Sequence, residues 1–176
     1  MAWKTRGLRG SAFEELINRT NDKYSELGLA LVQKIPTPIT PIKMDSEKKQ
    51  ITLAYFEKKS TVDYIGVIQG FPVCFDAKEC DTDTFPMHNI HEHQIEFMSA
   101  FEKQEGIAFI IIYFTKDDTF YYLRFEELMK FWNRMMDGGR KSFKRDELEE
   151  GFFFKQEDIV FVPYLERFQK DLNLRD

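Results

Sequence analysis

STVDYIGVIQGFPVCFDAK, residues 60–78, contains two apolar runs, 62–68 and 71–75, on either side of Gln69-Gly70. Short β-branched and aromatic runs around a glycine-containing dipeptide are typical of a β-hairpin. Asp63 lies six residues before Gln69 and Asp76 lies six residues after Gly70, so the hairpin would place the two aspartates opposite each other. Lys78 is two residues beyond Asp76 and shares its side of the strand. The segment therefore predicts two carboxylates and one ammonium group at one place.

This cluster has the composition of a phosphodiester hydrolase site. Two carboxylates can bind Mg²⁺, a hard cation that takes few carboxylates and adds water and phosphate oxygens. Lys78 can orient or deprotonate a water, or stabilise the charge that develops on the phosphate. The spacing D-x12-(D/E)-x-K of Asp63, Asp76 and Lys78 also resembles the signature of the PD-(D/E)xK nuclease superfamily. Alone the pattern is weak, and the competing interpretation is a surface Asp–Lys pair that contributes little.

The residues upstream of the hairpin predict a helix over 11–27. Ser11 and Glu14 have the spacing of a capping box, apolar residues follow at helical intervals, and Gly28 ends the pattern. Glu14 and Glu15 point about 100° apart on such a helix, so at most one of them faces the cluster. Because Glu14 is explained as a capping residue, we expect Glu15 to support the metal site.

Between this helix and the hairpin, residues 36–58 predict a projecting stalk. Pro36, Pro38 and Pro41 exclude a helix or a central strand and favour a stiff, extended chain. Residues 50–55 can resume as a strand, which gives the stalk two extended legs. The competing interpretation of the same residues is a disordered loop.

The rest of the chain alternates between strands and helices. We expect a strand at 29–32, a loop at 81–86, a helix at 91–105, strands at 107–114 and 119–124, a helix at 125–136, a short acidic helix near Asp146, a strand or apolar wedge at 152–154 and a terminal helix at 163–172. This order predicts an α/β fold in a single domain, residues 1–176. A central mixed β-sheet is flanked by helices, and the Pro-rich β stalk projects from it.

The composition excludes several classes of protein. The chain has 176 residues, 43% of them hydrophobic and 31% charged, which is a normal globular balance. No apolar run approaches the ~20 residues that a membrane span needs. Two cysteines do not form a disulfide framework, and the first residues lack the apolar segment of a secretory signal. We expect a reduced, cytoplasmic protein with no membrane partner.

The net charge of −5 argues mildly against nucleic acid, but its distribution does not. Residues 1–10 and 138–145 carry basic side chains and no acid, and residues 34–59 carry six lysines against three acids. The acidic segment 146–176 hides these patches from the sum. The competing interpretation is that they are solvated faces of an acidic protein. Candidate DNA-binding residues are Arg9, Lys43, Lys48, Lys49, Tyr55, Phe56, Lys58, Lys59, Arg140, Lys141 and Lys144.

Two further groups have competing interpretations. His88, His91 and His93 lie near Cys80, but their spacing matches no common zinc motif, so structural or substrate-facing histidines are favoured. Tyr55 and Phe56 at the end of the stalk can stack on unpaired bases or pack beneath the stalk. The basic residues after Gly139 suit phosphate contact better than ion pairs, because no acid lies among them.

At this point the sequence resembles the RecU family of Holliday junction resolvases. The resemblance covers about nine-tenths of the chain in order. Its segments include Lys34-Ile35-Pro36-Thr37-Pro38, Ser60-Thr61-Val62-Asp63-Tyr64, Phe75-Asp76-Ala77-Lys78-Glu79, His91-Glu92-His93-Gln94-Ile95-Glu96 and Gly139-Arg140-Lys141-Ser142. The nuclease triad is generic, whereas the H-x-H-Q-I-E and G-R-K-S strings are specific.

The resemblance implies a restriction-endonuclease-like fold and a role for each matching residue. Thr61, Asp63, Asp76 and Gln94 look like the metal-site positions of the family, for Mg²⁺ or Mn²⁺, and Lys78 looks like its transition-state stabiliser. The stalk looks like the element that enters a four-way junction. The family acts as a homodimer, which suits paired cuts in a two-fold junction. Asp76 departs from the usual glutamate and is one methylene shorter.

These implications lead to one reading and two alternatives. We expect a structure-specific endodeoxyribonuclease that resolves Holliday junctions in homologous recombination and DNA repair, near the nucleoid and together with recombinase or branch-migration proteins. The first alternative is a nuclease of the same fold acting on other branched DNA. The second is a weakly active or inactive junction-binding or recombinase-regulating protein. The intact residues Asp63, Asp76 and Lys78 argue against the second.

Overall fold

The computed structural model describes residues 12–56 and 61–175. Within them the α-helices are α1 (Ala12–Glu26), α2 (Glu92–Glu102), α3 (Phe125–Met136) and α4 (Leu165–Arg175). The strands are β1 (Ala30–Lys34), β2 (Ile39–Asp45), β3 (Gln50–Phe56), β4 (Tyr64–Ile68), β5 (Phe71–Cys80), β6 (Thr84–Pro86), β7 (Ile107–Phe114), β8 (Thr119–Arg124), β9 (Ser142–Lys144) and β10 (Phe153–Phe154). No helix in this part of the chain is long and apolar enough to cross a membrane.

A six-stranded sheet forms the centre of the fold, in the order β1-β4-β5-β7-β8-β10. The pair β5–β7 is parallel and the other pairs are antiparallel. The parallel pair is joined by α2, as a crossover connection requires. The predicted central mixed sheet flanked by helices is confirmed.

The β4–β5 hairpin forms as the sequence predicts. Gln69 and Gly70 both have positive φ, 49° and 92°, the combination of a type I′ turn, whose twist matches that of the strands. The Gln69 side chain donates from Nε2 to the carbonyl oxygen of Leu29 at 2.9 Å, which ties the turn to the start of β1. The ladder runs from Ile68↔Phe71 to Tyr64↔Phe75 without a break.

An aromatic row crosses one face of the sheet. The rings of Tyr64 and Phe75, and of Phe75 and Phe109, stack at 4.7 Å between centroids, and Phe109 stacks on Tyr122 at 4.3 Å. All four side chains are fully buried. α1 and α4 cover this face, where the Tyr122 hydroxyl donates to Asp171 at 3.0 Å. α2 and α3 cover the opposite face, onto which Asp76 points.

The stalk is a separate two-stranded antiparallel sheet, β2–β3, interrupted by register shifts near Lys43. Its turn is stabilised by the Asp45 carboxylate, whose Oδ1 accepts from the backbone N–H groups of Glu47 and Lys48 at 3.1 Å each. Apolar side chains on both strands are about half exposed, among them Ile42, Leu53 and Tyr55. The extended stalk is present, and the loop alternative is wrong for residues 39–56.

Some predicted boundaries are wrong. Residues 84–86, predicted as part of a loop, form β6 and pair with β9 from the basic stretch. The predicted helix at 91–105 is shorter and is preceded by a 3-10 turn, Met87–Asn89. The acidic helix near Asp146 is a single 3-10 turn, Arg145–Glu147. The predicted cap Ser11 lies outside the described residues.

Candidate active site

Asp63 and Asp76 lie side by side, one step beyond the last paired residues of the β4–β5 ladder. The Asp63 N–H donates to Oδ1 of Asp76 at 2.8 Å. In return, the Ala77 N–H donates to Oδ2 of Asp63 at 3.1 Å. Each carboxylate thus accepts a backbone hydrogen bond from the opposite strand, which fixes both side chains on the rigid hairpin.

Asp76 is the centre of the cluster. Its side chain is fully buried, and its Oδ2 lies 2.6 Å from Nζ of Lys78. The same oxygen accepts from Nε2 of Gln94 at 2.5 Å. Because burying a carboxylate is costly unless its oxygens are paired, these contacts are what permits a charged group here. The shorter Asp76 side chain reaches the Asp63 N–H on the neighbouring strand.

Gln94 connects Asp76 to the start of α2. Its Oε1 accepts from the His91 N–H, one of the donors that the helix itself leaves unsatisfied, at 3.0 Å. Sequence reasoning without the family resemblance would place Gln94 on a helix surface, but it is buried. Both ends of its amide are therefore engaged, one with the carboxylate and one with the helix end.

Burial and the neighbouring Asp76 change the ionisation of Asp63. The pKa of Asp63 is raised to about 6, first by burial and then by the negative charge of Asp76, against the opposing effects of the Ala77 N–H and of Lys78. Two carboxylates and one ammonium group leave the cluster with a surplus negative charge. A site of this kind attracts a cation.

The cluster opens onto a cleft of about 500 Å³. The residues that line it are Glu14, Ala77, Lys78, Glu79, His88, Asn89 and His91. The Lys78 side chain is 18% exposed, and its Nζ lies beside both the cleft and the Asp76 carboxylate. The His91 and His93 rings stack at 5.4 Å. His88 and His91 lie on the cleft wall, and a role in facing the substrate stays a prediction.

Glu14, and not the predicted Glu15, faces the cleft. Glu15 is 60% exposed and pairs with Arg19 one helical turn away at 3.1 Å. Glu14 instead forms an ion pair with Lys34, and its carbonyl oxygen accepts from the Tyr64 hydroxyl at 3.3 Å. The expectation for Glu15 is corrected, because α1 rotates that side chain toward solvent.

Thr61 and the histidines near Cys80 are the remaining candidate metal ligands. Thr61 is partly buried two residues before Asp63. Within residues 12–56 and 61–175, no group of three or more His, Cys, Asp or Glu side chains is arranged to hold a metal ion. A cation at this site would therefore depend on a few carboxylates and on ligands from outside the protein.

The candidate DNA-binding residues fall on two surfaces. Lys43, Lys48, Lys49 and Tyr55 are exposed on the stalk. Arg9, Lys58 and Lys59 lie outside the described residues, as does the side chain of Phe56.

The other surface follows β9. Lys141 and Lys144 are exposed there, but Arg140 lies 3.3 Å from the Glu147 carboxylate. Arg145 likewise lies 2.5 Å from the Asp117 carboxylate, so acids outside the basic stretch pair with two of its four basic residues.

The fold and site define an α/β domain with a mixed sheet whose hairpin presents an Asp–Asp–Lys cluster to an open cleft. The family model described as Recombination protein U matches residues 8–170. The chain therefore belongs to the RecU family, as the sequence resemblance indicates.

The chain is also similar to named relatives and to a solved structure. Proteins named Holliday junction resolvase RecU are 42% identical in Pediococcus pentosaceus, over 93% of this chain and 84% of the relative, and 44% identical in Bacillus cereus, over 81% and 73%. A third, from Streptococcus agalactiae, is 40% identical over 93% and 84%. A solved Holliday junction resolvase, Hjc of Archaeoglobus fulgidus, is 10% identical, with a TM-score of 0.36 over 66% of this chain and 73% of that chain.

Proposed function

We propose that this chain is an endodeoxyribonuclease that resolves four-way Holliday junctions by symmetric, Mg²⁺-dependent phosphodiester hydrolysis in recombination and repair. The observation that carries the proposal is the Asp63–Asp76–Lys78 cluster with buried Gln94, in a chain of the RecU family. The curated relatives bear the name of this activity. We infer a cytoplasmic, nucleoid-associated location for the same reason.

The donor chemistry of the site fits Mg²⁺. Mg²⁺ is usually held by one or two carboxylates together with water and substrate phosphates, and not by an all-protein cage. Asp63 and Asp76 supply these carboxylates, with Thr61 and Gln94 as supporting residues. When bound, the cation would polarise the scissile phosphate and favour deprotonation of a water, and Mn²⁺ could take its place.

The protein's own groups divide the remaining work. Lys78 presents its ammonium group to the cleft beside Asp76, where it can orient the attacking water or stabilise the extra negative charge on the phosphate. Gln94 and the Asp63 N–H hold the Asp76 carboxylate in one orientation. Glu14 on the cleft wall can accept a hydrogen bond from a water and so help to place it. Water adds to phosphorus, and one bridging P–O bond breaks.

Affinity and shape selectivity have separate sources in this proposal. Lysines of the stalk and of the β9 region would contact phosphates, which supply most of the affinity but carry no shape information. The stalk would enter the centre of the junction, with Tyr55 available to stack on unpaired bases. A second copy of the chain would provide the second cut, because two symmetric incisions need two equivalent sites. Recombinase or branch-migration proteins are further proposed partners.

The decisive experiment uses a labelled synthetic four-way junction, with and without Mg²⁺, and the variant Asp76→Asn. We expect paired symmetric nicks by the wild-type chain with Mg²⁺, and a loss of at least about a thousandfold in Asp76→Asn with binding retained. Asp22→Asn, an exposed substitution on α1, is the control. The same assay on flap and linear duplexes separates a junction resolvase from a nuclease that acts on other branched DNA.

Two results would contradict the proposal. Binding of the junction without cutting, in any divalent metal, would identify a junction-binding protein without catalysis. Loss of binding by a correctly folded Asp76→Asn variant would show that Asp76 is not primarily catalytic.

A further inference from the structure

The chain enters the stalk beside Asp63. The stalk leaves the six-stranded sheet directly after β1, whose last residue Lys34 pairs with Tyr64, the first residue of β4. Residues 57–60 lie outside the described residues, and Thr61 is two residues before Asp63 in the sequence. Asp63 therefore lies next to the place where the chain leaves the sheet and enters the stalk.

Two contacts join the residues before the stalk to the candidate active site. The Ile35 N–H donates to the carbonyl oxygen of Asp63 at 2.8 Å, which extends the β1–β4 ladder by one step. Lys34 forms its ion pair with Glu14, the α1 residue that lines the cleft together with Lys78. The Lys34 and Glu14 side chains are 38% and 25% exposed. The two residues that precede the stalk therefore contact the site, Lys34 through Glu14 and Ile35 through Asp63.

The chain that follows is suited to transmit a displacement. Pro36 follows Ile35 directly and Pro38 lies two residues further on, and each proline fixes φ near one value. A stiff segment passes movement of the stalk to Ile35 and Lys34, whereas a flexible one would absorb it. A displacement of the stalk would therefore reach Lys34 and, through its ion pair, Glu14.

We propose that Lys34 is a positioning residue that holds Glu14 at the cleft wall and links the placement of the stalk on DNA to the geometry of the cleft. This proposal rests on the proposed junction-cleaving function. Lys34 acts through Glu14 and does not touch the reacting atoms. Small displacements of groups around a reacting centre slow the reaction strongly, so release of Glu14 lowers the rate of cutting while the DNA-binding surfaces stay intact.

The first test compares Lys34→Met with the wild-type chain on a synthetic four-way junction with Mg²⁺. We expect kcat to fall about tenfold, while the Kd for the junction changes less than about twofold and Tm is unchanged. Lys34→Arg keeps the charge and should restore most of the rate. Lys23→Met is the matched control, because Lys23 is equally exposed, at 38%, and pairs with Glu26 on the same helix.

A double-mutant cycle shows whether Lys34 acts through Glu14. In a Glu14→Gln background, Lys34→Met should cause no further loss of kcat. Additive losses, a Lys34→Met rate equal to wild type, or a weaker Kd with unchanged kcat would each overturn the proposal, the last by identifying Lys34 as a phosphate contact. A wild-type chain that cuts no junction would instead overturn the proposed function, and the inference with it.

Discussion

Two of the antiparallel hairpins in the described residues, β4–β5 and β2–β3, differ in register, in turn length and in how far their side chains are buried. β4–β5 has an unbroken register and a two-residue turn, and strands of the large sheet flank it on both sides. β2–β3 has register shifts and forms a sheet of two strands whose apolar side chains are about half exposed. The first hairpin carries the catalytic candidates, and the second carries most of the described DNA-binding candidates.

This difference shows how the two tasks are separated. In the proposed function Asp63 and Asp76 must keep one geometry, and packing on both faces of the sheet fixes the backbone that carries them. A two-stranded hairpin is marginally stable in water, so the stalk depends on its prolines, on the Asp45 turn and on whatever it contacts. The sheet supplies rigidity, and the stalk supplies an adaptable surface.

The largest expected effect tests the contrast in packing. Phe75→Ala removes a fully buried ring that stacks on Tyr64 and Phe109, and we expect it to lower the free energy of unfolding by about 3–5 kcal/mol. Leu53→Ala on the half-exposed stalk should cost about 0.5 kcal/mol or less. Urea unfolding at low protein concentration measures both values.

Equal losses of unfolding free energy in Phe75→Ala and Leu53→Ala would contradict the difference in packing between the two hairpins. A cost for Leu53→Ala that grows with protein concentration would have a specific meaning. It would show that a second copy covers the stalk, since association adds stability by mass action.

The next largest expected effect concerns the ionisation of Asp63 in the absence of metal. Asp63 has its pKa raised from 3.8 to about 6, so the native state favours the protonated form. The associated stability is fully present below about pH 4 and is lost as the pH rises through about 6. Asp63→Asn should therefore exceed the wild type in stability at pH 8 in EDTA, by on the order of 2–3 kcal/mol, and match it at pH 4.

Thermal unfolding between pH 4 and pH 8 measures this difference, with Asp22→Asn as the surface control. Addition of Mg²⁺ at pH 8 should stabilise the wild type and leave Asp63→Asn unchanged. An Asp63→Asn variant that is less stable than the wild type at pH 8 would show that the ionised carboxylate is favoured by its surroundings.

The geometry of the first hairpin could be predicted from sequence, for a physical reason. A two-residue turn fixes the register of its strands, so equal spacing from Gln69-Gly70 sufficed to place Asp63 beside Asp76. The partner of Asp76 on α2 required more, because nothing in the pattern of a helix indicates which carboxylate a glutamine will contact. Only the family resemblance identified Gln94.

The orientation of Glu15 could have been predicted from the pattern of apolar residues on α1. Phe13, Ile17 and Tyr24 are the buried apolar residues of α1, and at 100° per residue Glu15 lies about 180° from the centre of their stripe, whereas Glu14 lies about 80° away. The phase of the helix thus favours Glu14 at the cleft. The β6–β9 pair offers no comparable signal, because strands of three residues are too short to show a period.

The smallest expected effect concerns the stalk as a phosphate-binding surface. Each exposed lysine that neutralises a DNA phosphate contributes about 0.9 to the slope of log K against log salt concentration. We therefore expect Lys48→Gln to reduce that slope for junction binding by about 1 and to weaken binding only a few-fold at moderate salt. Lys23→Gln, whose parent residue pairs with Glu26 on α1, should leave the slope unchanged. Filter binding across a salt series measures both. An unchanged slope for Lys48→Gln, together with a reduced slope for Lys141→Gln, would move the phosphate contacts from the stalk to the β9 surface and leave the stalk with shape recognition alone.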